Sequence, residues 1–271
     1  MQAMVGLMGT IAVSGVHGHL GGPVLDALAA AGRADIVNLD GDVGPHLDGV
    51  GTVVHLGDVP DTRRLLAAAD RAGVTTVVLL SSATVYGAWA GNPVPLPEVA
   101  VLRPNPGASW PTDMAERERL LAEWRDAAPE GGPARRTVVL RPAPIVDGAH
   151  VGGPGRRLAG LGRVRVRGAS RPVQAVHARD VATAVALAVQ RDDVEGVYNV
   201  APDGWVADET ARALVHVRPR LALPTRIARA FIRLPAGLLP YTVHPWVVAN
   251  DKLRAAGWTP TFSNEETLLL A

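Results

Sequence analysis

Short apolar runs alternate with longer stretches of helical character along most of the chain. The runs of strand length cover 10–14, 35–39, 52–56, 75–81, 137–140 and 197–200. The helical stretches between them cover 20–31, 61–72, 112–128 and 181–189. Strands that are apolar throughout and are separated by helices are typical of a parallel sheet with helices on both faces. The pattern therefore predicts an α/β protein built on a doubly wound parallel sheet.

The character of the chain changes after Arg218. From there onward, prolines interrupt short helical pieces, at 219, 224, 235, 240, 245 and 260. Because proline removes a backbone donor and ends most helices, long regular elements are not expected in this part. We predict a small irregular lobe that packs on the sheet.

A glycine-rich turn joins the first predicted strand to the first helix. Gly15, Gly18 and Gly21 follow the spacing G-x-x-G-x-x-G. Glycines let a pyrophosphate approach the backbone, and the helix N-terminus offers free N–H groups and the positive end of its dipole. The alternative is a tight strand–helix turn without a ligand. Asp40 follows Gly21 by 19 residues, near the roughly 20 expected for an acid that binds the adenosine ribose.

The acid after the second strand bears on the choice of dinucleotide. No arginine stands beside Asp40, which favours NAD over NADP. Asp42 is a rival for the same role. His17 and His19 lie in the glycine turn, but the spacing of a metal site is missing, so no metal is predicted. We expect backbone N–H groups of the turn, those of His19 and Leu20 included, to contact the dinucleotide.

Composition narrows the function further. The 27 basic and 26 acidic residues leave a net charge of +1, which gives no reason to expect nucleic acid or membrane as a partner. The absence of cysteine excludes disulfides, thiolate metal sites and a cysteine nucleophile. Residues 1–25 carry no charge, but they lack a basic start and glycines interrupt them, so a signal peptide is not expected. We predict a cytoplasmic protein.

Six ordered stretches together resemble one family. They are SGVHGHLG (14–21), TVVHLG (52–57), VVLLSSATVYG (77–87), VVLRPAPIVDG (138–148), VHARDVATAVALA (176–188) and GVYNVAP (196–202). The chain is similar to the extended short-chain dehydrogenase/reductases, the NAD-dependent epimerase/dehydratase group. The resemblance implies a dinucleotide-binding Rossmann domain of 1–148 plus 176–202. It also implies a small substrate lobe of 149–175 plus 203–271.

The resemblance implies roles for matched residues. The cofactor-binding positions are Gly15, Gly18, His19, Leu20, Gly21, Asp40, Gly41, Leu56, Gly57 and Pro142. Ser82 would hydrogen-bond the reacting oxygen, and Thr84 would face the substrate. The usual interface implies a possible homodimer through the helices at 61–72 and 112–128.

One family feature is missing. The helix after VVLLSSATVYG should carry Tyr-x-x-x-Lys, but Trp110 and Met114 stand at these positions, where they would border the substrate. The chain has three tyrosines and a single lysine, Lys252, so no other register restores the pair. Indole and thioether groups do not exchange protons at neutral pH. The usual carbonyl–alcohol redox step should therefore be strongly impaired, since positioned acid–base catalysis contributes about 10²–10⁴ in rate.

Few residues offer a replacement proton donor. Tyr86 is a candidate, with aromatic packing as its alternative role. Asp113 and Glu116 lie on the right helix, but their spacing after Pro111 favours first-turn capping. His177 is interpreted as a structural residue that leads into the next helix.

Two further features concern the edge of the sheet and the lobe. Only 11 residues separate Asp40 from Thr52, too few for a crossover unit, so we predict a shortened sheet edge. Six arginines crowd the lobe segment, at 156, 157, 163, 165, 167 and 171. We interpret them as a solvated face; the alternative is a site for an anionic substrate.

Three functions fit these residues. The first is an atypical NAD(P)-binding oxidoreductase or epimerase that acts on a small molecule with a non-standard proton donor. The second is a dinucleotide-binding sensor or pseudoenzyme without redox turnover. The third is a non-redox lyase or cyclase that reuses the fold. The family as a whole favours an enzyme, and hence the first.

Overall fold

A computed structural model describes residues 9–33, 35–39, 47–146, 164–166, 171–216, 221–224, 227 and 236–270. The strands are β1 (Thr10–Ser14), β2 (Ile36–Leu39), β3 (Val50–His55), β4 (Thr76–Leu80), β5 (Arg136–Pro142), β6 (Ile145–Val146), β7 (Val164–Val166), β8 (Pro172–Val173), β9 (Val176–His177), β10 (Gly196–Val200), β11 (Val206–Ala207) and β12 (Leu221–Leu223). The α-helices are α1 (Gly21–Ala30), α2 (Val59–Ala72), α3 (Ser109–Asp126), α4 (Ala178–Gln190), α5 (Asp208–Leu214), α6 (Asp251–Ala255) and α7 (Asn264–Leu269). Short 3₁₀ turns cover Ala83–Tyr86, Ala236–Leu238 and Pro240–Thr242.

A six-stranded parallel sheet forms the centre, in the order β10-β5-β4-β3-β1-β2. Side chains alternate along each strand between the two faces. In β1, Ile11 and Val13 pack under α1 and α4, whereas Ala12 packs under α2 and α3. Both faces are therefore buried, which explains why the strands are apolar throughout. The predicted doubly wound α/β fold is confirmed.

Helix α2 ends where the sequence predicts and begins at Val59, two residues before the predicted start at 61. Asp58 caps its N-terminus by accepting from the N–H of Asp61 at 3.0 Å. Gly73 ends it in the left-handed conformation, with φ 72°, which glycine adopts without a steric penalty. The predicted end of the helix at residue 72 is confirmed.

The start of α3 differs from the prediction. The helix begins at Ser109, three residues before the predicted start, and Pro111 falls within its first turn. A proline is tolerated there because the first N–H groups of a helix have no partner inside it. No acidic residue lies in the first turn, so the capping role expected of Asp113 and Glu116 is wrong.

The shortened edge is confirmed in the part of the chain that the structure describes. There, β2 is the edge strand on one side of the sheet, with β10 at the other edge, and β3 pairs with the opposite side of β1. The connection between them spans Asp40 and Gly41, two predicted cofactor residues, and Asp42. All three lie outside the described residues.

Short strand pairs lie beyond the main sheet: β6 with β9, β8 with β11, and β7 with β12. Arg171, next to β8, is buried, and burial lowers its pKa to about 10. The predicted solvated face is therefore wrong for this residue. The side chains of the other five arginines of the predicted cluster lie outside what is described.

The C-terminal segment is tied to α4. The carboxylate of Asp180 accepts from the backbone N–H groups of Thr261 at 2.8 Å and Phe262 at 3.0 Å. His177 caps α4 by accepting from the N–H of Arg179 at 3.2 Å, so its predicted structural role is confirmed. No helix among the described residues is long and apolar enough to span a membrane.

Candidate functional site

Two turns meet at the carboxyl edge of the sheet, one after β1 and one after β3. Gly15 has a φ of 78°, and a Cβ at this position would lie 2.8 Å from the backbone N of Gly57. A Cβ on Gly21 would lie 1.7 Å from the carbonyl O of Val16. These two glycines let the turns and the start of α1 pack closely. Gly18 differs, because it is exposed and its Cβ would meet only the Gly15 carbonyl O, at 3.4 Å.

The N-terminus of α1 points into this exposed turn without a capping side chain. Its first turn holds no acidic residue, and Leu20 at the cap provides no side-chain hydrogen bond. By contrast, Asp58 caps α2 and Ser263 caps α7. No side chain among the described residues therefore caps the positive end of the α1 dipole, which favours an external anion there. The turn fits a pyrophosphate on backbone groups, whereas the Leu20 side chain packs in the core.

A chain of hydrogen bonds supports the turn after β3. The Ser14 Oγ lies 2.6 Å from Nδ1 of His55, and Nε2 of His55 lies 2.7 Å from the Thr62 Oγ1. Thr62 donates its own hydrogen to the Asp58 carbonyl O at 2.6 Å. Thr62 must therefore accept from Nε2, and Nδ1 accepts from Ser14. Burial, with the nearby charge of Arg117, lowers the pKa of His55 to about 3, so the ring is neutral.

Ser82 and Thr84 lie together in the turn after β4. The Thr84 N–H donates to the Ser82 Oγ at 3.3 Å, and the Thr84 hydroxyl donates to the same oxygen at 3.0 Å. Both side chains are buried. Because Ser82 accepts two hydrogen bonds, its own hydrogen is left for another acceptor.

Tyr86 belongs to a buried polar network. Its hydroxyl donates to the Asn199 Oδ1 at 2.8 Å and accepts from Arg141 at 2.7 Å. Glu118 binds Arg141 through two oxygens and accepts from the Ser81 hydroxyl at 2.5 Å. Burial raises the pKa of Tyr86 to about 12. The phenol hydroxyl already donates one hydrogen bond and accepts another within the protein, which argues against its use as a proton donor.

Trp110 and Met114, which stand where the resemblance implies Tyr-x-x-x-Lys, have different surroundings in the structure. Trp110 lies in the first turn of α3 with 41% of its surface exposed. Met114 is buried in the core, and its Sδ accepts a hydrogen bond from Arg117 at 3.2 Å. Neither side chain offers a titratable proton.

The other tyrosines and the lysine are used elsewhere. Tyr241 is buried, and its hydroxyl donates to the Thr84 carbonyl O at 2.7 Å. Lys252 lies over the ring of Tyr198 at 4.2 Å and donates to the Val197 carbonyl O at 2.7 Å. The lysine thus stabilises the edge strand β10.

Other predicted cofactor residues lie along the same edge. Leu56 and Gly57 are half-buried in the turn after β3, and the Leu56 N–H donates to the Ser14 carbonyl O at 2.9 Å. Pro142 ends β5 and is buried. No cluster of potential metal ligands occurs within the described ranges.

Sequence reasoning missed the roles of His55, Arg117 and Glu118. His55 ends an apolar strand, the position where parallel strands present polar groups to a site. Arg117 falls on the apolar stripe of α3 formed by Met114, Leu121 and Trp124. A charged residue on a buried stripe is the signal that would have identified it.

Solved structures share this fold. A short-chain dehydrogenase/reductase superfamily protein from Agrobacterium tumefaciens with bound NAD has a TM-score of 0.72 and 19% identity, over 96% of this chain and 94% of that chain. MoeE5 in complex with UDP-glucuronic acid and NAD has a TM-score of 0.71 and 20% identity, over 96% of each chain. The human epimerase family protein SDR39U1 with NADPH has a TM-score of 0.70 and 17% identity, over 96% of this chain and 98% of that chain.

Comparison of the sequence with protein-family models and with curated proteins gives no match. At identities below a quarter, the structural likeness shows the fold. The resemblance to the dehydrogenase and epimerase group is thus confirmed at the level of the fold.

Proposed function

We propose that this chain binds a nicotinamide dinucleotide and acts as an atypical oxidoreductase or epimerase on a small molecule. The observation that carries the proposal is the exposed turn at Gly18, which faces the uncapped N-terminus of α1. The positive end of the helix dipole and N–H groups at the start of α1 stabilise an anionic pyrophosphate there, while the N–H groups of Gly18 and Gly21 donate within the turn. Structural neighbours with NAD or NADPH bound support the same ligand class.

The residues proposed to hold the dinucleotide lie along the carboxyl edge of the sheet. Backbone N–H groups of the turn between Gly15 and Gly21 hold the pyrophosphate. Leu56 and Gly57, which follow β3, line the cofactor. We propose Asp40 for the adenosine ribose, which favours NAD over NADP. When bound, the nicotinamide ring supplies a hydride acceptor or donor.

Ser82 is the residue proposed to act on the substrate. With its oxygen accepting from Thr84 twice, the Ser82 hydroxyl hydrogen is directed to a substrate oxygen. Such a donor stabilises developing negative charge on that oxygen. A serine hydroxyl is both a weak acid and a weak base. Solvent therefore has to supply the proton when a carbonyl is reduced and take it up when an alcohol is oxidised, and turnover is expected to be slow.

A hydride-transfer assay tests this function. Protein loaded with NAD⁺ or NADP⁺ is mixed with secondary alcohols, UDP-glucose and UDP-glucuronic acid among them, and the absorbance at 340 nm is followed. We expect slow reduction of the cofactor by at least one alcohol. Ser82→Ala should lower that rate by about 10²–10³, as loss of one such donor does, without changing dinucleotide affinity.

Ser263→Ala is the matched control. Ser263 also caps a helix, accepting from the Glu266 N–H at 3.1 Å, but it caps α7 instead of the turn after β4. Both serine replacements should lower the free energy of unfolding by about 1 kcal/mol, but Ser263→Ala should leave the rate unchanged. Equal rates for wild type and Ser82→Ala would contradict the role of Ser82.

The second candidate is a dinucleotide-binding protein without redox turnover. The observation in its favour is that no acidic or basic side chain hydrogen-bonds the Ser82 or Thr84 side chain among the described residues. Stoichiometric dinucleotide binding with no absorbance change for any alcohol would support this candidate over the first.

A further inference from the structure

Thr84 is the residue that holds the Ser82 oxygen. Its backbone N–H and its hydroxyl both donate to the Ser82 Oγ, at 3.3 and 3.0 Å. The Thr84 carbonyl O in turn accepts from the Gly87 N–H at 3.0 Å and from the Tyr241 hydroxyl at 2.7 Å. These two bonds use both lone pairs of the carbonyl O. The position of Ser82 therefore depends on Thr84, and that of Thr84 depends on Tyr241.

The turn that carries Thr84 is short. It is a single 3₁₀ turn, Ala83–Tyr86, and such turns have poorer hydrogen-bond geometry than an α-helix. Within it, the Val85 N–H donates to the Ser82 carbonyl O at 3.2 Å. From outside it, the Arg103 N–H donates to the Val85 carbonyl O at 3.0 Å. Contacts from other segments of the chain therefore help to decide where this turn lies.

Tyr241 is itself fixed in place. Its side chain is buried, and its ring meets that of Trp246 edge to face, with the centroids 5.4 Å apart and the planes at 87°. The Trp246 Nε1 donates to the Tyr241 carbonyl O at 2.9 Å. Burial raises the pKa of the Tyr241 hydroxyl well above its usual value, so the hydrogen stays on the phenol oxygen. The phenol is therefore a rigid hydrogen-bond donor to the turn after β4.

The segment that carries Tyr241 contacts a second part of the site. Gly237 lies against the residues that precede α3, because a Cβ on Gly237 would lie 2.1 Å from the backbone N of Ala108. Ala108 is the N-cap residue of α3, and the first turn of that helix holds Trp110. The segment 237–241 therefore fixes the turn after β4 and the start of α3 relative to each other.

We propose that Tyr241 is a positioning residue for the reaction and acts on Ser82 through the peptide group of Thr84. This role rests on the proposed function of Ser82. Donation to the Thr84 carbonyl O keeps the N–H and the hydroxyl of Thr84 on the Ser82 oxygen, which leaves the Ser82 hydrogen for the substrate. A donor that stabilises the transition state loses its effect when it is displaced.

Amide hydrogen exchange of the free protein is the first test. Tyr241→Phe removes the hydroxyl and keeps the ring, so the core around Trp246 stays filled. The amides of Thr84 and Gly87, followed by NMR, should exchange about threefold to tenfold faster, the range for the loss of one net hydrogen bond. Amides of helix α2 should keep their wild-type rates. This measurement needs neither cofactor nor substrate.

Steady-state kinetics with the alcohol and NAD⁺ are the second test. Tyr241→Phe should lower kcat by about tenfold, within the range of up to about a hundredfold for a misplaced group. The KM for the alcohol and the dissociation constant for NAD⁺ should change by less than about twofold, because the lost interaction is made mainly in the transition state. Rates are divided by the NAD⁺-binding stoichiometry from calorimetry, so that unfolded protein is not counted.

Tyr198→Phe is the matched control. Tyr198 is also a buried tyrosine, but its ring lies against Lys252 at the edge strand β10. The replacement removes the same kind of hydroxyl group, away from the turn after β4. It should leave kcat, KM and the exchange of the Thr84 and Gly87 amides as in the wild type.

The outcomes separate this role from the proposed function. If the wild type turns over none of the alcohols, the proposed function is wrong, and the exchange rates alone decide whether Tyr241 holds the turn. Turnover by the wild type with an equal kcat for Tyr241→Phe overturns the role of Tyr241, and so does unchanged exchange at Thr84 and Gly87. Faster exchange throughout the chain, or a loss of kcat matched by weaker NAD⁺ binding, would show a structural residue instead.

Discussion

The imidazole of His55 bridges two elements of the proposed site. It accepts from Ser14 at the end of β1 and donates to Thr62 in α2. Both ring nitrogens are used, so the neutral tautomer is fixed by the neighbours. These hydrogen bonds hold the turn after β3, where Leu56 and Gly57 lie, beside the glycine turn after β1.

The pKa of His55 leads to a prediction about stability. It is about 3 in the folded protein, below the value of about 6.5 in an unfolded chain. The unfolded state therefore takes up a proton first as the pH falls. The stabilisation is complete above pH of about 6.5 and is lost between there and about 3. From pH 8 to 5, His55 should lower the free energy of unfolding by about 2 kcal/mol.

Urea unfolding of wild type and His55→Gln at several pH values measures this contribution. Glutamine does not titrate, so from pH 8 to 5 the free energy of unfolding of His55→Gln should fall by about 2 kcal/mol less than that of the wild type. The other histidines contribute equally in both proteins. Parallel curves would show that His55 is not the group responsible.

At single positions, the sequence predicted backbone roles better than side-chain roles. The glycine spacing predicted the turn because a close backbone contact permits only glycine at Gly15 and Gly21. Tyr86 shows the opposite case. Its motif predicted a candidate donor, but its partners Arg141 and Asn199 come from strands distant in sequence. Such contacts depend on the packing of the sheet, which no local pattern contains.

The buried pair of Glu118 and Arg141 joins helix α3 to strand β5. Its side-chain contacts extend to Ser81, the residue after β4, and to β10 through Tyr86 and Asn199. The pair therefore fixes α3, and with it Trp110 and Arg117, against the sheet beside Ser82.

Breaking this pair from one side should be costly. Glu118→Ala leaves the Arg141 guanidinium buried and uncompensated, so we expect a loss of about 3–5 kcal/mol in the free energy of unfolding. The double variant Glu118→Leu/Arg141→Met removes both charges and should recover part of that loss. Denaturant unfolding measures both, and a double variant at least as unstable as the single one would contradict this account.

The end of α2 was predicted because Gly73, a left-handed residue, decides it locally. The predicted start at residue 61 is two residues late, because the helix is capped by Asp58 and begins at Val59. The predicted start of α3 at residue 112 is three residues late, because proline often marks a helix boundary. The helix instead accommodates Pro111 in its first turn. The short strand pairs outside the main sheet carry too few residues for an alternating pattern to appear.

On the scale of the whole molecule, the parallel sheet positions every group discussed above. All strands of the main sheet end at one edge, which brings the turns after β1, β3, β4 and β5 together. The apolar strand pattern predicted this arrangement because both faces of the sheet are covered. The homodimer through α2 and α3 stays a prediction; their exposed surface carries the ion pairs of Arg63, Glu116, Arg119 and Glu123.

The central claim is that the turn at Gly18 binds a dinucleotide although the tyrosine–lysine pair is missing. Gly18→Ala tests it because the new methyl group fits the fold, at 3.4 Å from the Gly15 carbonyl O, and occupies the exposed side of the turn. Gly51→Ala is the matched control. It lies at the amino end of β3, and its Cβ would meet nothing nearer than Gly9, at 4.0 Å.

Isothermal titration calorimetry with NAD⁺ on these three proteins is the most direct measurement. We predict one binding site in the wild type and in Gly51→Ala, and at least tenfold weaker binding in Gly18→Ala with an unchanged melting temperature. Absence of binding to the wild type, or equal binding to Gly18→Ala, would contradict the account.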